Sequence, residues 1–263
     1  MRCVEATDDR AGTPLATFGA IHRFAVRSEW TAAQATGLDL RVVEDGEVLL
    51  GAAPTFPSTM FNRALGFAEV PGRLVEAVAF FAEQGVWGEI VLDAADVPPG
   101  VETRLRLDVY LADPADIEPA PVDGLAIRVV DPGEAETWMD LIIEGYAPIP
   151  EVAAIWRSMA PYTAATADRY LLLGELEGRL VAASSIITDG DRGWLSWATV
   201  LPTARGRGIQ RAMIASRAQV AVERGCRVIA AWALASAHSS RNLEQAGLPR
   251  IGERVSLNAA DLT

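Results

Sequence analysis

Two glycines and three arginines stand together in Arg205-Gly206-Arg207-Gly208-Ile209-Gln210-Arg211, between an apolar strand that ends at Val200 and a long amphipathic helix. The first turn of a helix carries backbone N–H groups with no internal partner, and the helix dipole adds partial positive charge there. Gly206 and Gly208 place no side chain in the path of an approaching anion, and Arg205, Arg207 and Arg211 surround it with formal charge. The chemistry this arrangement serves is the binding of a pyrophosphate. It is not a P-loop, which needs a Lys-Ser/Thr pair after its glycines. Nor is it the dinucleotide fingerprint, whose third glycine would stand where Arg211 does.

Charge distribution narrows the ligand. The chain of 263 residues has a formal net charge of −12. Residues 1–123 hold 20 acidic and 9 basic side chains, whereas residues 124–263 hold 15 and 14. Six arginines lie in residues 205–227 against Glu223 alone. One compact basic helix on an acidic protein suits a small polyanion, while nucleic acid requires an extended basic surface. Other chemically capable residues are sparse. His22, in a helix of the first half, and His238, before the last helix, are isolated and give no triad or metal spacing. Cys3 and Cys226 are too few for a disulfide framework or a zinc site, and Cys226, next to Gly225 at a helix end, serves packing.

The loop resembles the acyl-CoA-binding motif of the GCN5-related N-acetyltransferase (GNAT) superfamily, Arg/Gln-x-x-Gly-x-Gly/Ala. Arg205 fills the first position, Gly208 the fourth, and Gln210 replaces the usual small residue at the sixth. A second segment, Ser239-Ser240-Arg241-Asn242-Leu243-Glu244-Gln245-Ala246-Gly247-Leu248, is similar to the helix that follows the family's fifth strand. The resemblance implies acetyl-CoA as co-substrate, held by Ala198, Thr199 and Val200 on the fourth strand and by Arg205, Gly206, Arg207, Gly208, Ile209, Gln210 and Arg211. Ser236, Ser239 and Asn242 are the candidates beside the pantetheine arm. The family's frequent general-acid tyrosine is Leu243 here, so leaving-group protonation falls to water, Ser239 or Ser240. The fourth strand also lacks the glutamate that many relatives use as base. Asp189, Asp191, Glu144 and Tyr146 stay open as candidates, as does a base acting through water. Trp194 and Trp197, three apart on one strand, are expected on opposite faces, one of them lining an acceptor pocket.

Periodicity and turn residues divide the second half into strands and helices. Leu125–Val130 is a strand, Glu134–Tyr146 and about Pro150–Met159 are helices, and Tyr170–Leu176, Leu180–Thr188 and Trp194–Val200 are strands. A helix to about Arg224, a strand at Val228–Leu234, a helix near Ser239–Ala246 and a strand near Ile251–Leu257 complete the half. This β-α-α-β-β-β-α-β-α-β order is similar to the GNAT core. The first half repeats part of the plan, with strands at Leu38–Val43, Glu47–Ala53, Phe61–Ala68, Trp87–Asp93 and Leu105–Leu111 and a helix at Pro71–Gln84. Val70 to Gly85 spans 15 residues where Val200 to Gly225 spans 25, and the glycine-arginine loop is what is missing. A mere βαβ similarity without a shared fold remains an alternative for that half.

The fold class expected is therefore α/β with a mixed sheet (α+β), the acyl-CoA N-acyltransferase fold, in two tandem copies. Residues 1–117 form a degenerate GNAT-like domain and residues 118–263 the acetyltransferase domain, separated by the Pro-rich acidic stretch from Asp113 to Pro121. Direct transfer to a small-molecule amine, by a monomer or homodimer, is the expected function. A silent acyl-CoA sensor, or an acyltransferase taking its group from a carrier protein's phosphopantetheine, are the alternatives. The longest apolar run, near Val228–Leu234, falls far short of the roughly 20 residues a membrane helix needs. Residues 1–20 contain Glu5, Asp8 and Asp9 and no apolar signal core, so a cytoplasmic location with no membrane partner is expected.

Overall fold

The computed structural model of the protein describes residues 12–56 and 58–262, so Cys3, Glu5, Asp8 and Asp9 lie outside the described residues. Helix α1 (Pro14–Ala35) starts with Pro14 in its first turn and with the Thr13 hydroxyl accepting from the Ala16 amide at 3.2 Å. Its buried side includes Phe18, Ile21, His22, Ala25 and Trp30. The first half continues with β1 (Arg41–Asp45), β2 (Val48–Ala52), β3 (Arg63–Leu65), α2 (Leu74–Gln84), β4 (Glu89–Asp93) and β5 (Leu105–Ala112). β3 is much shorter than the expected Phe61–Ala68, because Phe67 and Ala68 leave the strand and enter the core under α2.

The second half comprises β6 (Leu125–Val129), α3 (Ala135–Tyr146), α4 (Pro150–Ala165), β7 (Arg169–Leu176), β8 (Arg179–Asp189) and β9 (Arg192–Val200). It continues with α5 (Ile209–Glu223), β10 (Val228–Leu234), α6 (His238–Gln245) and β11 (Arg250–Asn258). The order is the expected one. Helix α4 runs past Met159 through Pro161, since Ala160 and Thr163 beyond it are buried. No helix among the described residues is long and apolar enough to cross a membrane.

Among the described residues all strands join one 11-stranded sheet in the order β1-β2-β3-β4-β11-β5-β10-β9-β8-β7-β6. Helices α1, α3 and α4 cover one face, while α2 and α5 cover the other. The order shows an internal two-fold plan. β3 runs parallel to β4 on one side as β9 runs parallel to β10 on the other. Next to each lies an antiparallel strand from the opposite half: β11 beside β4, and β5 beside β10. Val255 and Leu257 of β11 thus complete the core made by Leu50, Phe67, Phe81 and Ile90. Tyr110 and Ile117 complete the core under α5. Burying each such aliphatic side chain contributes roughly 1.5–3 kcal/mol, so each half is stabilised by the other's strand. A division between residues 117 and 118 separates those strands from the cores they fill.

The two parallel pairs differ in what lies beyond them. In the first half the space past Leu65 is filled. Glu69 binds Arg254 at 2.8 Å and Arg23 at 3.1 Å, and His22 packs nearby. Only about 10 Å³ of void remains there. Burial, helped by Arg63, Arg254 and Arg23, pushes the His22 imidazole well below its ordinary pKa, so it stacks on Trp194 at 4.7 Å as a neutral ring. In the second half the corresponding space is open.

Candidate active site

β9 and β10 pair only from Val228↔Arg192 to Ala230↔Trp194, and then part. On its other edge β9 carries a bulge. Ser185 faces Ser196 and Ala183 faces Thr199, so three steps on β9 match two on β8. Trp197 takes up the extra residue with a left-handed φ of +43°. The bulge corrects the expectation for the two tryptophans. By resetting the alternation it puts Trp197 on the same face as Trp194, against Trp138 of α3 and Trp156 of α4. Arg217, 2 % exposed on α5, reaches under the bulge and donates to the carbonyls of Met213 (3.2 Å), Ser196 (3.4 Å) and Ser185 (3.5 Å). Desolvation holds its guanidinium down to about 10, so it is still a cation at neutral pH.

At the end of β9 the chain turns through Pro202–Ala204 and enters the loop. Gly206 and Gly208 have φ of +77° and +78°, backbone that L side chains seldom adopt, and Gly208 is the cap residue of α5. No side chain caps this helix. Among the described residues the amides of Arg207, Gly208, Ile209 and Gln210 find no internal acceptor. Arg205 donates from Nε to the Val200 carbonyl at 3.0 Å, which pins the loop to the strand end. Four free amides at a helix start, with arginines beside them, make a concave anion site.

A cleft of about 680 Å³ runs from this loop along the parted strands. It brings together Ala198, Thr199, Val200, Arg205, Gly206, Gly208, Ile209, Gln210, Arg211 and Asn242 of the expected cofactor residues, with Tyr146 and Ser239. Arg207 is placed elsewhere. It points across the loop toward Glu177, 3.4 Å away, and lines a neighbouring recess with Val122 and Arg211. Ser236 is exposed outside the cleft, its carbonyl accepting from Arg241. Asp191 is corrected as a base candidate, because it sits at the far end of β9 beside Arg192. At ~3.3 Å per residue that is roughly 30 Å of extended chain from Val200. Asp189 belongs to the same distant turn. Glu144 is exposed and lies two residues from Tyr146 on α3, so the two do not share a face. Ser240 is buried and held by Tyr110 Oη at 2.6 Å and Asp108 Oδ2 at 2.9 Å, which leaves Ser239 as the free hydroxyl of the pair.

Residues 136–247 match the model of the Acetyltransferase (GNAT) family. The second half of this chain is a GNAT domain. Among solved structures, a GCN5-related N-acetyltransferase from Sphaerobacter thermophilus is similar with a TM-score of 0.61 at 17% identity, over 95% of this chain and 94% of that one. One from Kribbella flavida gives 0.59 at 21% identity, over 89% and 95%. A tandem GNAT protein from the clavulanic acid biosynthesis pathway gives 0.56 at 12% identity, over 92% and 94%. At such identities the likeness is one of fold, and it spans both halves. No curated protein sequence matches the chain.

Several residues around the GNAT cleft were not singled out from sequence. Arg217 sat unremarked among the helix arginines, although Ile209, Met213 and Arg217 fall four apart on one buried stripe of α5. A cation on an apolar stripe was the available signal. Gly145 lets α3 approach β9, since a β-carbon there would stand 1.8 Å from Thr199 Oγ1. Tyr146 keeps half its surface exposed while its hydroxyl faces β9. Desolvation raises that phenol's pKa, opposed by the Ala198 backbone and the Arg217 charge. Leu243, at the family's tyrosine position, packs into the α5 core. Leu243→Tyr is therefore expected to overpack that core and cost about 1–3 kcal/mol in chemical denaturation, with no gain in turnover.

Proposed function

We propose that the protein is an N-acetyltransferase that binds acetyl-CoA in the cleft of its second half and passes the acetyl group directly to a small-molecule amine. The observation that carries this reading is the set of free amides from Arg207 to Gln210, placed at the mouth of the gap between β9 and β10. These amides, with Arg205 and Arg211, would hold the pyrophosphate. The edge of β9 from Ala198 to Val200, which β10 does not pair, would hydrogen-bond the pantetheine arm through the groups that Arg205 leaves free. Bound there, acetyl-CoA supplies an activated acyl group, and the Ala198 N–H would polarise its carbonyl. Ser239 and Tyr146 are the hydroxyls on hand to assist departure of the sulfur. A cysteine relay finds no support among the described residues, where Cys226 is buried against the Arg192 carbonyl at the far end of β9. The proposed catalytic unit is residues 118–263 together with β5 of the first half.

Calorimetric titration with acetyl-CoA tests this. One equivalent per chain is expected, since the first half's counterpart space is filled, with affinity falling as salt rises. Addition of an amine panel is expected to release free CoA thiol. Two equivalents would refute the single competent site. Binding without thiol release from any amine would favour a silent sensor, and no binding of free acetyl-CoA a carrier-protein donor.

A further inference from the structure

On the reading just given, the site still lacks a group to receive the amine. We infer that Glu29, carried by α1 of the first half, binds the ammonium of a primary amine attached to an apolar, arylalkyl body. Helix α1 lies on the sheet face shared with α3 and α4, and Glu29 continues the inward stripe of Phe18, His22 and Ala25. Its Oε1 accepts from Trp197 Nε1 at 2.8 Å, and Trp197 is the bulge residue next to Ala198. Its Oε2 accepts from no described residue, and 17% of the side chain remains exposed.

Glu29 is the counter-charge of the buried Arg169, but the pair is not closed by a hydrogen bond. Arg169 Nη1 stands 3.9 Å away, beyond hydrogen-bonding range, and Arg169 Nε and Nη1 have no partner. Charge-assisted N–H···O bonds run to about 2.8 Å, so Glu29 keeps hydrogen-bonding capacity that Arg169 does not use. From Glu29 outward the surroundings are aromatic. Trp197 meets Trp156 edge-on at 4.8 Å, and Trp156 meets Tyr146 at 5.9 Å. Tyr146 and Ile149 are exposed at the outer end. A carboxylate at the inner end of an aromatic wall selects a cationic head on an apolar body, and it disfavours anionic acceptors. Burial raises the Glu29 carboxyl pKa against the opposing charges of Arg169 on β7 and Arg63 on β3. Tyr146, at the end of α3, is the remaining titratable neighbour.

Glu29 Oε2 takes one proton from the ammonium, and the freed lone pair forms the N–C bond to the acetyl carbon. The C–S bond breaks, sulfur leaves with the electron pair and takes the second nitrogen proton, and Glu29 returns its proton to water.

The test uses the full chain, 2-phenylethylamine as probe, and Glu29→Gln, which keeps an acceptor for Trp197. The variant is expected to hold acetyl-CoA within about twofold of wild type by calorimetry. Its kcat/KM for the probe should fall by about 100-fold near pH 7, and the deficit should shrink as pH rises toward the amine's own pKa. The assignment is overturned if Glu29→Gln stays within about threefold of wild type across that range. It is also overturned if the wild type binds acetyl-CoA but neither binds nor acetylates the probe. Failure of the wild type to bind acetyl-CoA removes the underlying reading, and the acceptor assignment with it.

Discussion

Gly208→Asp is expected to weaken acetyl-CoA binding by about 100-fold or more, equivalent to roughly 2.7 kcal/mol, while the protein stays folded. Gly208 caps α5 with φ +78°, and a β-carbon there would find Val122 Cγ2 at 3.6 Å, an ordinary contact. Aspartate and asparagine are the side chains that tolerate this left-handed backbone best. The introduced carboxylate would lie among the free amides of Ile209 and Gln210 and compete for the place of a phosphate. It also complements the helix dipole, so the fold should lose little. Gly208→Asn is the control, with similar shape and no charge, and should cost at most about tenfold. Equal affinities for Asp and wild type would show that the pyrophosphate does not sit on this helix start.

Arg217→Met is expected to lower turnover by about 100-fold, roughly 2.7 kcal/mol of barrier, yet to change unfolding free energy by less than about 2 kcal/mol. Two terms oppose each other in stability. Holding this cation away from water, with its pKa lowered to about 10, costs on the order of 3 kcal/mol at neutral pH. Removing it relieves that cost but takes one donor from each of the Ser185 and Ser196 carbonyls, at up to about 1–3 kcal/mol each. Function has no such compensation. Without the guanidinium the Ser196 carbonyl keeps only the long bond from Ser185 Oγ at 3.5 Å, and the adjoining Trp197–Ala198 peptide is held less firmly in its direction into the cleft. Arg217→Lys should recover part of the rate, as a positioning role predicts. Wild-type turnover in Arg217→Met would remove the bulge from the mechanism.

The glycine-arginine loop was legible because it is local. Gly206, Gly208 and three arginines sit within one turn of sequence, and strand-loop-helix order followed from periodicity. The base was not, because it depends on contacts between distant segments. Glu29 and Trp197 are separated by 168 positions, and only the packing of α1 over β9 joins them. Trp197 itself was misplaced for a local reason. Period-2 alternation fails at a bulge, and nothing in Ser196-Trp197-Ala198 marks one apart from its partner strand. Asp191 read as a candidate because it borders β9, and strand length carried it to the wrong end. The first half's repeat was visible as element order, whereas the exchange of β5 and β11 was not. Both strands mix apolar with charged residues and run antiparallel to their neighbours, so either would fit beside either neighbour.

That exchange sets the timetable of folding during synthesis. The edge of β4 gains its neighbour only when β11 has been made, more than 160 residues later in the sequence, since Asp93 pairs with Arg254 and Glu89 with Asn258. Until then the first half presents an open strand edge and lacks Val255 and Leu257 from its core, a surface prone to mispairing. The native contacts that close it are among the most distant in the sequence, which makes closure slow. Both halves therefore reach their native state together, in a late event on the ribosome or after release. A nascent chain stalled before β11 would expose the half that emerged first to proteases, and the GNAT domain would have no folded neighbour to lend it α1.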